Sequence, residues 1–311
     1  MTGAAILCSG QGAQAAGMFD LLADAPDAAA VFEAAKAVLG GRDPRDLVRH
    51  TGDDELHADK AGQILCCTQA MAAWAILGGV VPRPLVAAGY SVGELAAWGV
   101  AGALDAKTVL GLAAERASLM DAATEEPFGL LAVRGLSRRT LEPLCRAHEC
   151  HVAIVNASDQ MLAGGTQASL DALARDAKAH GASVTAIPVA VASHTPLLRR
   201  ASERFRTALG KAKPPGALPS GVRLLSGIDG DAVFDLRDGL DKLARQIQHT
   251  VDWAACMDAC RSSGVTRVIE LGPGNALAHM MQAAATDSEI HSLSEFHSLE
   301  GVKRWLGKSR D

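Results

Sequence analysis

The 311-residue chain predicts an α/β fold: a large domain on a parallel sheet, interrupted by a small α+β insert. Three observations carry this. Short apolar runs ending near Cys8, Ala88 and Leu271 each lead into a glycine-rich loop, as parallel strands do where they meet at one ligand-binding sheet edge. Gly89-x-Ser91-x-Gly93 separates such a run from a helix-like segment, which is the spacing of a nucleophile elbow. From residue 126 to 195 the pattern changes to strand–helix–strand–strand–helix–strand, the ferredoxin-like order. The expected division is a large domain from residues 1–125 and 196–311 and an insert at 126–195.

Ala4–Cys8 reads as the first strand. It ends in Ser9-Gly10-Gln11-Gly12-Ala13-Gln14, which lacks the Lys-Ser/Thr ending of a phosphate loop. That segment is either a plain strand-to-helix turn or a loop that brings backbone N–H groups to a ligand. Asp27 is the expected N-cap of a helix reaching Leu39. Asp59 to Leu77 is almost wholly apolar, so it predicts a buried helix.

Pro84–Ala88 predicts a buried strand and Glu94–Trp98 the first turns of a helix. A turn this tight leaves little room for side chains at Gly89 and Gly93 and pushes Ser91 into a strained, exposed position. The N–H groups that follow lie at a helix N-terminus, where partial positive charge collects. Asp105 is expected to cap the next helix, which runs to about Ala123. Arg116 falls on its inward stripe, seven residues after Val109. A buried guanidinium needs an anion. It either pairs with a protein carboxylate or holds a ligand's carboxylate through a bidentate fork.

Within the insert, strands are expected at Leu130–Val133, His151–Val155, Gln160–Ala163 and Ser183–Val191, with helices at Ser137–His148 and Gln167–His180. Ser193-His194-Thr195-Pro196 closes it, with Thr195 as N-cap and Pro196 at the first helical position. His194 thus sits at a strand end, where loops bring chemistry. Leu224–Ser226 and Ala232–Phe234 read as a hairpin around a turn. A helix to about Gln248, a strand at Val265–Leu271 and a polar, mobile tail after Lys303 complete the chain.

Hydrophobic content of 49%, charged content of 21% and a net charge of −5 describe an ordinary globular protein. They give no reason to expect nucleic acid or an anionic membrane as partner. No basic n-region with a cleavage site is seen, and the longest apolar stretch, Ala70–Val81, is too short to span a bilayer. Seven cysteines without a Cys-x-x-Cys point to buried thiols in a reducing compartment, not a disulfide framework or zinc site. The expectation is a cytoplasmic protein with no metal.

Read together, the motifs resemble the malonyl-CoA:acyl carrier protein transacylases over nearly the whole chain. The family's Gly-Gln-Gly-x-Gln appears as Gly10–Gln14, and its Gly-His-Ser-x-Gly-Glu as Gly89-Tyr90-Ser91-Val92-Gly93-Glu94. Its Arg-x-x-x-Met matches Arg116–Met120, its Ser-His matches Ser193-His194, and its Gln-x-x-x-Pro-Val-x-Trp matches Gln246–Trp253. Its late Gly-Pro-Gly matches Gly272–Gly274. Tyr90, Ala117 and Thr250 depart from the family's histidine, glycine and proline. The tyrosine-bearing elbow, with Cys8–Gly12, looks most like a specialised branch, the epsilon subunit of bacterial malonate decarboxylase.

The resemblance implies an α/β-hydrolase-like large domain and a ping-pong acyl transfer. Ser91 is the implied nucleophile and His194 the base, oriented by the main-chain carbonyl of Gln246. N–H groups of Gln11 and Val92 would form the oxyanion hole, and Arg116 would hold the malonyl carboxylate. Tyr90 cannot be a base at neutral pH. The implied substrates are malonyl-CoA and the phosphopantetheine-type arm of an acyl carrier protein, the carrier subunit of malonate decarboxylase or, alternatively, a carrier of fatty-acid or polyketide synthesis. No permanently bound cofactor is implied. Arg199, Arg200, Arg204 and Arg206 are candidates for a basic rim that meets an acidic carrier, or else a solvated helix face. A serine hydrolase and a non-catalytic carrier-docking scaffold are the rival readings.

Overall fold

The computed structural model describes residues 3–123, 127–284 and 287–307. In chain order its strands are β1 (Gly3–Cys8), β2 (Leu85–Gly89), β3 (Phe128–Arg134), β4 (His151–Ala157), β5 (Gln160–Thr166), β6 (Ser183–Ile187), β7 (Val222–Leu224), β8 (Val251–Asp252), β9 (Val265–Leu271) and β10 (Glu289–Ser292). They form two sheets.

The first sheet has the order β10-β9-β1-β2-β7, and every pairing is parallel. β1 is buried along its whole length, which is why it carries no charged residue. Ala4, Ile6 and Cys8 enter one core, with the helices Asp59–Leu77 and Ala106–Asp121, while Ala5 and Leu7 enter the other with Val86, Ala88 and Val268. The chain leaves β1 towards β2 and β7 but places β9 and β10 on its other side. Ligand crevices form where strand order reverses in this way. The loops at Gly10, Gly89 and Gly272 therefore share one edge.

The second sheet has the order β6-β3-β5-β4 with antiparallel pairing, and β8 adds in parallel beside β4. This is the ferredoxin-like arrangement expected from the sequence. Leu141, Cys145, Leu170 and Leu173 of its two helices cover one face. Leu130 and Ile154 from the opposite face join the core of the parallel sheet. β8 lies outside the 126–195 stretch, and the expected boundary at 125/126 lies outside the described residues.

Several local expectations need correction. Asp27 is not a cap: Pro26 opens a single 3-10 turn, Pro26–Ala28, that takes Asp27 into it and leaves Ala28 in the cap position of Ala29–Val38. β6 stops at Ile187 because Pro188 follows and has no N–H for the ladder. Thr195 stands at the N-cap position with Pro196 following, as expected, but the element is a short 3-10 turn and the Thr195 hydroxyl donates to the Ala192 carbonyl, making no side-chain cap bond. The predicted hairpin is reduced to one antiparallel bridge, Leu225 to Ala232, because its first arm joins the parallel sheet as β7. Of the tail expected to be mobile after Lys303, the described part to Gly307 belongs to a helix, Leu299–Gly307, that buries Val302, Trp305 and Leu306, with Arg267 donating to the Leu306 carbonyl at 2.7 Å, and 308–311 lie outside the described residues.

Candidate active site

The elbow forms because strand and helix approach to backbone contact. A Cβ at Gly89 would lie 2.2 Å from the Gly93 carbonyl, and one at Gly93 would lie 2.1 Å from the Cys8 carbonyl. Only hydrogen fits at either position. Between them Ser91 adopts φ +54°, in the left-handed region that L-residues avoid. Its Oγ lies 2.9 Å from Nε2 of His194.

His194 is held just as firmly. It too has a positive φ, +64°, a second strained residue that the sequence did not announce. Its N–H donates to the Ile247 carbonyl at 2.8 Å, and Nδ1 lies 2.7 Å from the Gln246 carbonyl. A carbonyl can only accept, so Nδ1 carries the proton and Nε2 offers a lone pair to Ser91. Burial, reinforced by the Arg116 charge and opposed by the Gln246 carbonyl, moves the imidazole from 6.5 down to about 3. The ring is therefore neutral at physiological pH and free to accept a proton.

Arg116 is 1% exposed on the inward face of its helix, as the stripe predicted. Asp105 caps that helix by accepting from the Thr108 N–H. Among the described residues the guanidinium has no carboxylate in contact. It donates to two neutral side-chain carbonyls, Gln63 Oε1 at 2.6 Å and Gln246 Oε1 at 3.3 Å.

Gln246 is the hub. Its backbone carbonyl meets His194, its side-chain oxygen meets Arg116, and its Nε2 donates to the Ser91 carbonyl at 3.1 Å and to Glu94 Oε2. Glu94, which is 1% exposed, also accepts from the Gly227 N–H at 3.1 Å. Burial lifts its carboxyl to about 7, against the hydrogen bonds from Gly227 and Gln246. The sequence pointed to the Gln246 carbonyl through family resemblance and missed its side chain, Glu94, Gln63 and Asp59. A signal existed for the last two: Asp59 and Gln63 stand four apart on a mostly apolar helix.

Ser91, His194 and Gln11 line a cavity of about 660 Å³. Leu130, Ile154, Leu162 and Ile187 of the second sheet form its apolar wall. Arg116 sits behind that lining, one amide away from Ser91 through Gln246. Gln11 reaches the site by its loop, with its side-chain amide on the Asp59 carbonyl at 3.2 Å. Among the described residues the backbone N–H groups of Gln11 and Val92 have no protein acceptor. Tyr90 packs edge-on to Trp253 with centroids 5.5 Å apart, and burial raises its phenol to about 12. The expected basic rim is absent from this lining. Its charged members are Asp53, Asp54, Asp59 and Asp121 against Lys60, with no residue of the Arg199–Leu209 helix. Arg199 and Arg206 instead pair with Glu203 and Asp241. A second cavity of about 760 Å³ around Pro214 and Phe234 contains no such pairing of hydroxyl and imidazole. Among the described residues no three His, Cys, Asp or Glu side chains converge as a metal site, and no helix is long and apolar enough to cross a membrane.

A strained serine on an elbow, a neutral imidazole in contact with it and free N–H groups at a helix start form a site able to make and break an acyl ester. The chain belongs to the acyl transferase domain family, whose model matches residues 6–289, and within it to the malonyl CoA-acyl carrier protein transacylases. It is 32% identical to the transacylase of that name from Mycobacterium bovis over 283 residues, covering 88% of this chain and 90% of the relative. To the Escherichia coli K12 protein of the same name it is 28% identical over 308 residues, covering 95% and 97%. The acyl-carrier-protein S-malonyltransferase of Burkholderia pseudomallei superposes with a TM-score of 0.89 at 29% identity, covering 97% of this chain and 100% of that one.

Proposed function

We propose that this enzyme moves a malonyl group from malonyl-CoA to an acyl carrier protein through a seryl ester on Ser91. The observation that carries the reading is the unbroken contact from the Gln246 carbonyl through His194 to Ser91, with Arg116 one amide away. His194 Nε2 takes the Ser91 proton as Oγ bonds to the thioester carbon. The N–H groups of Gln11 and Val92 receive the oxyanion. The carbon–sulfur bond then breaks, and the proton on His194 passes to the departing coenzyme A sulfur. Malonyl stays on Ser91 with its free carboxylate on Arg116. A carrier-protein thiol enters, gives its proton to His194 and bonds to the acyl carbon; the ester C–O bond breaks and His194 returns the proton to Ser91 Oγ. Tyr90, protonated throughout, acts as packing and not as a base.

The better supported carrier is the general one of fatty-acid or polyketide synthesis, since the relatives bear the general transacylase name. The narrower reading, the carrier subunit of malonate decarboxylase, rests on Tyr90 and the Cys8–Gly12 segment. One experiment addresses both. The protein is incubated with malonyl-CoA alone and its intact mass recorded, with the adduct mapped by digestion. A malonyl increment on Ser91, absent from Ser91→Ala and discharged by one purified carrier and not the other, is the expected result. Steady release of malonate without an adduct would make it a hydrolase. Neither adduct nor release would sink the reading.

A further inference from the structure

Arg116 is flanked by two matching relays. On one side Gln63 Oε1 accepts from Arg116, and Gln63 Nε2 donates to Asp59 Oδ2 at 2.8 Å. On the other, Gln246 Oε1 accepts from Arg116 and Gln246 Nε2 donates to Glu94 Oε2. The order is carboxylate, amide, guanidinium, amide, carboxylate. Each amide orientation is chemically fixed at both ends, because a flipped glutamine would set its oxygen against a carboxylate and its NH₂ against a cation.

A buried cation in this position would ordinarily be paired with a carboxylate in direct contact, since that geometry best offsets desolvation. Here both carboxylates stand one amide further off. Burial works against the charged guanidinium, and Asp59 and Glu94 oppose that burial through space. Yet they occupy none of its donors. Of the five N–H donors of an arginine, the relays use two, and a bidentate carboxylate needs two more.

We infer that Gln63 and Gln246 are spacers that hold Asp59 and Glu94 away from Arg116, so that the buried guanidinium keeps donors uncommitted to a protein carboxylate for the carboxylate of the acyl group. This rests on the reading of Arg116 as the malonyl-binding residue. It makes Asp59 and Gln63 specificity-determining: selection for a dicarboxylic monothioester depends on where the counter-charge sits, not only on the arginine. Moving that charge one amide closer makes an internal competitor for the substrate's carboxylate.

The double variant Asp59→Asn/Gln63→Glu does this with no change in net charge or in the number of groups able to hydrogen-bond. The expected result is a KM for malonyl-CoA raised by about tenfold or more, with kcat/KM for acetyl-CoA not lowered. Asp59→Asn alone removes that counter-charge while keeping an oxygen for Gln63 Nε2, and should lower the malonyl KM. A loss of folding would depress both substrates together, so the split between them reports the charge position. Arg116→Ala is run in parallel. If it loses malonyl preference while the double variant keeps the wild-type malonyl KM, the spacer inference is wrong and the arginine reading stands. If Arg116→Ala keeps malonyl preference, the arginine reading itself has failed.

Discussion

Replacing Arg116 with alanine is expected to lower kcat/KM for malonyl-CoA by about 10²–10⁴ while sparing or raising transfer from acetyl-CoA. The magnitude follows from the donor count. Two of the N–H groups are engaged by Gln63 and Gln246, so a fork remains for the substrate. Hydrogen bonds to charged groups contribute about 1.5–3 kcal/mol each, so two contribute about 3–6 kcal/mol. At about 1.4 kcal/mol per decade this spans two to four decades. Acetyl has no carboxylate to lose, and removing the cation takes away an unpaired desolvated charge that opposes its binding. Initial rates of transfer to one carrier are measured with both thioesters across a range of concentrations. The acetyl rate reports in the same assay whether the variant is folded. A malonyl-to-acetyl ratio unchanged from wild type would refute the role of Arg116.

Three other outcomes are expected. The neutral His194, with a folded value of about 3, gives no acid limb near 6.5 in kcat/KM. For stability, the unfolded imidazole takes up its proton first as pH falls, so stability is lost between 6.5 and 3, by about 1.4 kcal/mol per pH unit. Glu94 acts oppositely: its value rises from 4.5 to about 7, so the stability it contributes is full below 4.5 and lost as pH climbs to 7. Urea midpoints across pH should show His194→Gln less sensitive to acid than wild type, and superimposable profiles would contradict the assignment. Gly93→Ala, whose Cβ would sit 2.1 Å from the Cys8 carbonyl, should cost at least about 3 kcal/mol or prevent folding, as read by urea melts. Trp305→Ala should cost about 3–5 kcal/mol, since the indole is buried and donates to Glu289 at 2.9 Å; a midpoint unchanged from wild type would mean the last helix is not part of the cooperative unit.

The parallel sheet and the elbow were legible because they rest on short-range chemistry. An unbroken apolar strand and glycines forced by backbone contact both mark the sequence directly. Arg116 was legible as an inward cation from helical spacing alone, but its partners were not. Gln63 and Gln246 lie 53 and 130 residues from it in sequence, and no local pattern encodes such a meeting. His194 was one histidine among ten until family resemblance singled it out. Its positive φ depends on tertiary packing and leaves no mark on neighbouring residues. Asp27 was misread because a proline one residue earlier moved the helix start. The described part of the tail differs from expectation because Trp305 and Leu306, among polar neighbours, continue the buried face that Val302 begins.

β8 gives the molecule a mechanical property that neither sheet has alone. The segment Gln246–Trp253 begins at the carbonyl under His194, continues as a strand hydrogen-bonded to β4, and ends with an indole against Tyr90. Seven peptide units thus tie the small sheet to the base and to the elbow. The small sheet is no free-swinging flap over the cavity. Any displacement of the small sheet would move the backbone whose carbonyl fixes the tautomer of His194, so the wall of the cavity and the base are held in one register.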